Sequence, residues 1–238
     1  MTVDVVIPAL NEARSIGLVL EALPDRVRRV VVVDNGSTDG TAEVARAAGA
    51  VVVAEPRRGY GSACLAGLAA LRPDPPAVVA FVDADFSDHP DELPTLLAPI
   101  AEGRAELVIG SRVLGQRAGR VEAGALLPQA RWGNALACAL IRARWGVRFT
   151  DLGPFRAVRW RTLERIGMTD TTFGWTVEMQ VRAAHLGVPT AEVPVSYRRR
   201  VGVSKITGTV SGTVRAGAKI LATIGAHALR RPALRGGP

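Results

Sequence analysis

The chain has 238 residues and a formal net charge of +8, with 30 Lys and Arg against 22 Asp and Glu. This length fits one α/β domain or one domain with an appendage, and two cysteines, Cys64 and Cys138, are too few for a disulfide framework. Aromatic residues make up only 5% of the chain, which argues against a nucleic-acid partner, whereas a positive charge supplied almost entirely by arginine suits an anionic membrane or phosphorylated small molecules.

The first half of the chain alternates apolar runs with amphipathic stretches. The apolar runs predict strands at 3–7, 30–33, 51–54, 77–82 and 107–109. The amphipathic stretches predict helices at 13–22, 38–48, 61–71 and 91–100. This β-α-β-α order predicts a doubly wound, mostly parallel sheet with helices on both faces and ligands at the carboxyl ends of the strands.

The second half of the chain begins with a stretch rich in Gly and Arg, 115–127, for which we predict a mobile loop. Helices are predicted at 129–144, 161–167 and 175–185. A strand is predicted at 191–197, and a last helix ends near residue 229.

Two aspartates follow the most apolar predicted strand, in the order Asp83-Ala84-Asp85. Residues i and i+2 of an extended strand point the same way, so the two carboxylates are expected to project together. Paired hard oxygen ligands at a strand's carboxyl end suit Mg²⁺ or Mn²⁺ carrying a substrate diphosphate. The alternative is a pair of acids in an ordinary surface turn, because this spacing is short and common.

The ends of the other strands carry polar residues as well. The first strand is not followed by Gly-x-Gly-x-x-Gly, which argues against a nicotinamide-dependent dehydrogenase. At the end of the second strand Asp34 can accept hydrogen bonds from a ribose or a base, whereas Ser37 or Asp39 is expected to cap the next helix. The third strand leads to Arg57, Arg58 and Gly61, where open backbone N–H groups beside arginines favour a nucleotide site over an ordinary turn.

The three histidines are widely scattered and form neither a metal cluster nor a catalytic triad in the sequence. We therefore expect an enzyme without histidine base catalysis, or one whose acceptor needs little deprotonation. Cys64 and Cys138 are interpreted as small packing residues.

An ordered set of short segments resembles the family 2 glycosyltransferases of the GT-A fold, and most of all the dolichyl-phosphate mannose synthase branch, which loads sugars onto polyprenyl phosphates. The matching segments are residues 7–12, 34–41, 83–85, 110–112, 131–134, 151–156, 177–179, 192–195 and 200–205. The resemblance implies a GT-A catalytic domain at 1–206, followed by an amphipathic helix at 207–229 and a basic tail at 230–238.

The resemblance also implies roles for individual residues. Donor-pocket positions are Pro8, Asn11, Glu12 and Asp34. Asp83 would lie near the ribose or the metal, and Asp85 would be a metal ligand. The acceptor phosphate would be held by Arg112 and Arg131, helped by Arg117, and a carboxyl-terminal loop with Arg200, Ser204 and Lys205 would close over the diphosphate.

Asp151 and Glu178 lie in matched segments, yet a capping or surface position explains each equally well, and neither is assigned as a base. Two positions depart from the family pattern. Ser87 stands where some members use glutamine as a further metal ligand, and Pro154 replaces a small residue common after the Asp-Leu pair.

Three functional readings follow from these residues. The first is inverting sugar transfer from a GDP- or UDP-linked donor to polyprenyl phosphate, which is already ionised and needs no base. The second keeps the donor but uses a soluble sugar or phosphorylated metabolite as acceptor. The third is a catalytically idle scaffold that binds nucleotide sugars.

The last predicted helix has an apolar stripe that can lie on a membrane surface or pack on the domain. Its glycines suggest close packing, which would fit a homo-oligomer. No basic signal region precedes the first strand, and no stretch reaches the roughly 18 apolar residues of a membrane span. We therefore expect a cytoplasmic protein, peripheral on the cytoplasmic face of the membrane.

Overall fold

The computed structural model describes residues 1–202 and 210–228, except for the side chains of 210–216. Within these residues one sheet of seven strands has the order β3-β2-β1-β4-β6-β5-β7. The strands are β1 (Val3–Ala9), β2 (Arg29–Asp34), β3 (Val51–Ala54), β4 (Val78–Phe81), β5 (Leu107–Ser111), β6 (Arg156–Arg159) and β7 (Thr190–Pro194). All neighbours run parallel except β6, which is antiparallel to both β4 and β5. The prediction of a doubly wound, mostly parallel sheet is thus confirmed.

Helices cover both faces of the sheet. They are α1 (Ile16–Glu21), α2 (Thr41–Ala47), α3 (Tyr60–Leu71), α4 (Leu93–Ala101), α5 (Arg112–Arg117), α6 (Pro128–Trp145), α7 (Trp160–Ile166), α8 (Trp175–His185) and α9 (Val210–Ala228). A single 3₁₀ turn, Pro90–Glu92, precedes α4. Among the described residues, no helix combines the length and apolarity required to cross a membrane.

Alternation along the strands divides the core into two layers. Val6, Val31 and Phe81 face the layer built from α3 and α6–α9. Val5, Val32 and Ala80 face the layer built from α1, α2 and α4. Cys64 and Cys138 are buried, unpaired residues of the first layer, in line with their interpretation as packing residues.

Strand β6 is absent from the sequence-based prediction. It has four residues with arginine at both ends, and such a segment lacks the apolar run of a buried strand. Arg156 is nevertheless fully buried, because its guanidinium donates to the carbonyl oxygens of Leu152, Gly153 and Thr176. The antiparallel strand therefore depends on hydrogen bonds that the Arg156 side chain donates, although the sequence pattern predicts this side chain to be exposed.

The prediction of a mobile loop at 115–127 is wrong for part of the segment. Helix α5 continues to Arg117, and Val121 forms a β-bridge with Tyr197. Gly115 packs so tightly that an added Cβ would lie 1.9 Å from the carbonyl oxygen of Val195. Strand β7 ends earlier than predicted, at Pro194, because proline lacks the N–H that continues a ladder. The predicted domain boundary at 206 lies outside the described residues.

Candidate active site

The acidic pair lies in a turn that follows β4, not on the strand itself, because β4 ends at Phe81. Asp85 is 5% exposed, and its Oδ1 accepts from the backbone N–H of Ser87 at 2.9 Å. Its Oδ2 lies 2.9 Å from Nη1 of Arg200. Asp83 is half-buried, and its Oδ1 accepts from the hydroxyl of Tyr60 at 3.0 Å. The two carboxylates are therefore positioned by the turn, and not by the alternation of side chains along a strand.

Arg198 holds this turn in place. Phe86 has a left-handed backbone, φ 61°, which costs energy for a residue with a large side chain. The Arg198 guanidinium stacks 3.5 Å from the centroid of the Phe86 ring, and its Nε donates to the Phe86 carbonyl at 2.7 Å. The backbone N–H of Arg198 donates to the Ser87 carbonyl at 3.0 Å. Nothing in the sequence pattern singles out Arg198 from its arginine neighbours.

A third carboxylate, Asp88, also escaped the sequence analysis. It is 1% exposed, and neither of its oxygens makes a hydrogen bond of normal geometry. Burial and the charge of Asp85 raise the pKa of Asp83 to about 7. Burial and the charge of Asp83 also raise the pKa of Asp88. The turn thus brings three largely buried carboxyl groups within electrostatic reach of one another.

These carboxylates do not form a complete metal cage. No cluster of three or more acidic, histidine or cysteine side chains in residues 1–202 and 210–228 is arranged to hold a metal ion by itself. Mg²⁺ in nucleotide sites is commonly bound by one or two carboxylates together with substrate phosphates. Asp83 and Asp85 fit that partial ligand set.

Arg112, on the first turn of α5, faces the acidic turn and is held by Asp151. Its Nε and Nη2 donate to Oδ2 and Oδ1 of Asp151, each at 2.8 Å, and its backbone N–H donates to Oδ2 at 2.8 Å. The guanidinium also lies 5.2 Å from the centroid of the Tyr197 ring. Asp151 is itself fixed, since its N–H donates to Glu192 Oε1 at 3.0 Å. These hydrogen bonds fix the orientation of the Arg112 guanidinium.

The ends of β1 and β2 meet as the sequence predicts. Pro8 is paired with Val33 in the register, and Ala9 with Asp34. Asn11, with φ 53°, accepts from the Thr38 N–H through Oδ1. Asp34 Oδ1 accepts from the N–H of Ser37. Pro8, Asn11 and Asp34 thus lie at one edge of the sheet, where a donor nucleotide is expected.

Capping differs in one respect from the prediction. The hydroxyl of Ser37 accepts from the N–H of Asn11 and does not cap α2. Asp39 accepts from the N–H groups of Thr41 and Ala13, so it links the start of α2 to the loop after β1. Glu12, which is 8% exposed, donates its N–H to the Thr41 hydroxyl at 2.8 Å.

The N–H of Gly61 is engaged within the protein and is not open to an anion, contrary to the geometry expected from the sequence. The Gly61 N–H donates to the Thr172 carbonyl at 3.1 Å. An added Cβ would lie 2.0 Å from the carbonyl oxygen of Asp170, so glycine permits the close backbone contact. Arg57 is exposed and pairs with Glu55 at 3.2 Å.

Two predicted arginines line a different cavity from Arg112. Arg131 and Arg117 line a groove between α5 and α6, whereas Arg112 lines the cavity that contains Asp83. Asn134 of α6 lines both cavities.

Glu178 is bound to the segment between α7 and α8. It is 2% exposed, pairs with Arg182 at 2.9 Å and accepts from the N–H groups of Thr169 and Asp170. These bonds hold the segment that contacts Gly61, and they account for the burial of Glu178 without requiring that it takes part in the reaction. The predicted loop residues Ser204 and Lys205 lie outside the described residues.

A cavity of about 470 Å³ opens beside the acidic turn. Its lining includes the polar residues Tyr60, Asp83 and Arg112 and the segment Tyr197 to Arg200. It also includes apolar residues, among them Leu126, Leu127, Pro154, Phe173 and Ile220. The cavity can therefore hold a charged group against an apolar chain.

Comparison with known proteins gives consistent results. Residues 4–167 match the model of the family described as glycosyl transferase family 2. An uncharacterized glycosyltransferase of Mycobacterium tuberculosis is 42% identical over 89% of this chain and 93% of its own length. The undecaprenyl-phosphate mannosyltransferase of Micrococcus luteus is 34% identical over 89% of this chain and 90% of its own. The structure of M. tuberculosis glucosyl-3-phosphoglycerate synthase with Mn²⁺, UDP-glucose and phosphoglyceric acid superposes with a TM-score of 0.75 at 25% identity, covering 95% of this chain and 79% of that one.

Proposed function

The chain belongs to glycosyl transferase family 2, and from that premise we propose that it moves a sugar, with inversion, from a nucleoside-diphosphate sugar to a polyprenyl phosphate. One observation carries the choice of acceptor: the lining of the cavity beside the acidic turn combines charged groups with the apolar side chains of Leu126, Leu127 and Phe173. A phosphate attached to an isoprenoid chain matches both kinds of lining residue. The name of the M. luteus relative supports the same acceptor class.

The donor is proposed to bind at the joined ends of β1 and β2, with its diphosphate directed toward the acidic turn. Asp85 and Asp83 would hold a Mg²⁺ or Mn²⁺ ion through their carboxylates, and that ion would offset the charge of the leaving diphosphate. Asp34 would accept from the nucleoside. Arg200, which pairs with Asp85, would contact the same diphosphate.

The acceptor phosphate is proposed to contact Arg112. Two guanidinium nitrogens of Arg112 are engaged by Asp151, which fixes its plane and leaves the remaining N–H groups for a ligand. The phosphate is ionised near neutral pH and needs no proton removed, so its oxygen can attack the anomeric carbon directly as the diphosphate leaves. Catalysis then depends on positioning and on the fixed positive charges.

A second candidate is transfer to a soluble phosphorylated metabolite. The support for it is the likeness to a structure that was solved with phosphoglyceric acid. Arg112 and the neighbouring Arg198 to Arg200 segment would serve such a carboxylate and phosphate equally well, but the apolar lining residues would then have no apolar group of the acceptor to contact.

The test is a panel of GDP- and UDP-linked radiolabelled sugars offered with either undecaprenyl phosphate or 3-phosphoglycerate, in Mn²⁺ or Mg²⁺. Label in the organic phase after butanol extraction, with release of nucleoside diphosphate, is the expected result. Label only in the aqueous phase would favour the soluble acceptor, and no acceptor-dependent release with any donor would indicate an idle scaffold. Asp85→Asn should lose transfer, whereas the exposed control Asp25→Asn should retain it.

A further inference from the structure

The outward face of α6 is apolar. Trp132 is 79% exposed, Leu136 51% and Leu140 37%. These three residues follow one another at intervals of four, so they form one stripe along the helix. Ala135, Ala139 and Ala143 beside them are exposed too. Helices of globular proteins normally turn their polar side outward, and here the order is reversed.

The inward face of α6 is already packed. Ala137, Cys138 and Ile141 are buried in the core layer shared with α8 and α9. Asn134 ties the helix to the site, since it donates to the Thr150 carbonyl and accepts from the Leu152 N–H, each at 2.8 Å. The core contacts of α6 are therefore made by its other face, and packing within the domain does not explain the exposed apolar stripe.

Arginines border one side of the stripe. Between residues 123 and 150 the sequence has four arginines and no acidic residue. Arg131 and Arg142 lie on one side of the stripe and, with Arg117 of α5, line a groove of about 560 Å³ next to Trp132. A surface with an apolar centre and a rim of one charge is complementary to a layer that is apolar inside and anionic outside.

We infer that the α6 stripe, defined as Trp132, Leu136 and Leu140 with the rim of Arg117, Arg131 and Arg142, docks the protein on an anionic lipid bilayer. The apolar side chains enter the headgroup region and the arginines contact lipid phosphates. A second copy of the chain is a poorer occupant, because a two-fold interface would place these like charges against each other with no acid in the segment to balance them.

This docking surface deepens the proposed function, because its significance rests on a lipid-borne acceptor. The first two turns of α6 have Gln129, Ala130 and Gly133 on the wall of the reaction cavity. One helix thus connects the membrane face with the cavity. A docked protein would hold the cavity mouth at the height where polyprenyl phosphates present their headgroups.

The last helix is the weaker candidate for the same role. Ile224 of α9 is 5% exposed and Ile220 packs against the same core layer, so this part of its apolar side is used internally. Arg144 of α6 also donates to the carbonyl of Ala228 at the end of α9. Leu221 is 43% exposed, which makes it a suitable control position.

The experiment measures co-sedimentation of the full chain with vesicles of phosphatidylglycerol and phosphatidylcholine at low salt. We expect binding that falls with salt and with the fraction of phosphatidylglycerol. Leu136→Ser with Leu140→Ser should lower the partition coefficient at least tenfold, and Arg142→Gln about fivefold. The matched controls Leu221→Ser and Arg26→Gln should bind like the parent, and equal melting temperatures establish that all variants are folded.

Bromine-labelled lipids provide a direct readout of the contact, because they quench tryptophans that enter the bilayer. Quenching should be seen in the parent and reduced in Trp132→Phe, whose vesicle binding remains. No binding to anionic vesicles at low salt, or equal binding by the stripe variants, would overturn the inference. So would a dimer in solution that the Leu136→Ser, Leu140→Ser variant dissociates.

Failure of this inference and failure of the proposed function have different signatures. In detergent, where docking is not needed, the Leu136→Ser, Leu140→Ser variant should transfer sugar to undecaprenyl phosphate at the parent's rate, and it should be slower on vesicles. Vesicle binding without transfer in detergent would refute the proposed acceptor and leave the docking surface standing. Equal transfer by both proteins on vesicles would refute the docking role alone.

Discussion

Removal of the Asp151 carboxylate tests whether this residue positions Arg112 or takes part in the reaction. The Asp151 side chain is 1% exposed and that of Arg112 19% exposed, and they share two hydrogen bonds of 2.8 Å. Breaking a buried pair leaves an uncompensated charge and typically lowers the free energy of unfolding by about 3–5 kcal/mol. Because Arg112 retains some solvent contact, we expect Asp151→Ala to cost about 3 kcal/mol.

Urea unfolding followed by far-UV circular dichroism measures this free energy. The matched control is Glu102→Ala, which breaks an ion pair with Arg104 whose side chains are 53% and 60% exposed, and which should cost less than about 1 kcal/mol. In a double-mutant cycle, Arg112→Ala combined with Asp151→Ala should cost clearly less than the sum of the two single changes.

The positioning role of Asp151 would be refuted if the free energy of unfolding of Asp151→Ala lay within about 1 kcal/mol of the parent's value. Additive effects of the two changes on this free energy would refute it as well. A fully stable Asp151→Ala protein that binds donor but does not turn over would instead return Asp151 to the group of reacting residues. The cycle measures the coupling between Asp151 and Arg112 without knowledge of the acceptor, and the turnover of a folded variant tests a role in the reaction.

Three further changes are predicted from the structure. Gly61→Ala should lower the free energy of unfolding, measured in urea, by about 1–3 kcal/mol, because the added Cβ would collide with the Asp170 carbonyl. The control Gly133→Ala should not lower it, because no atom lies within 4 Å of the added Cβ. Glu178→Gln should also cost about 1–3 kcal/mol through weakened hydrogen bonds, and its turnover in the remaining folded protein should match the parent. Asp85→Asn should abolish Mn²⁺ binding in the presence of donor by calorimetry while circular dichroism stays unchanged, and undiminished binding would contradict the assignment of the metal ligand.

Much of the fold could be predicted from the sequence, because apolar runs and helical periodicity dominate residues 3–110. The family prediction was confirmed as well. Many of the family's motifs lie at strand ends, and the apolar runs of the sequence predict where those ends are. Strand β6 could not be predicted, since its buried Arg156 depends on carbonyl oxygens of Leu152, Gly153 and Thr176 that only the folded chain assembles.

The candidate site was predictable to a smaller extent. Asp83, Asp85 and Arg112 meet at one cavity or its edge, as their positions at strand ends suggest. The surroundings of Gly61 and Arg131 could not be predicted, because both depend on direction. The N–H of a glycine can face an anion or a neighbouring backbone, and one step along a helix turns a side chain by about 100°. Arg198 and Asp88 carried no signal, because their importance arises from the turn that they contact.

The antiparallel strand β6 has a consequence for the order in which the chain folds. β4 and β5 are consecutive strands in the chain, yet β6, which is made some 45 residues after β5, separates them in the sheet. While the chain is being synthesised, β1 to β4 can assemble from local crossovers, but β5 has no native neighbour until β6 and β7 emerge. The edge of β4 is meanwhile open to a non-native pairing with β5. The sheet is completed late, through contacts between residues distant in sequence, and such contacts slow folding.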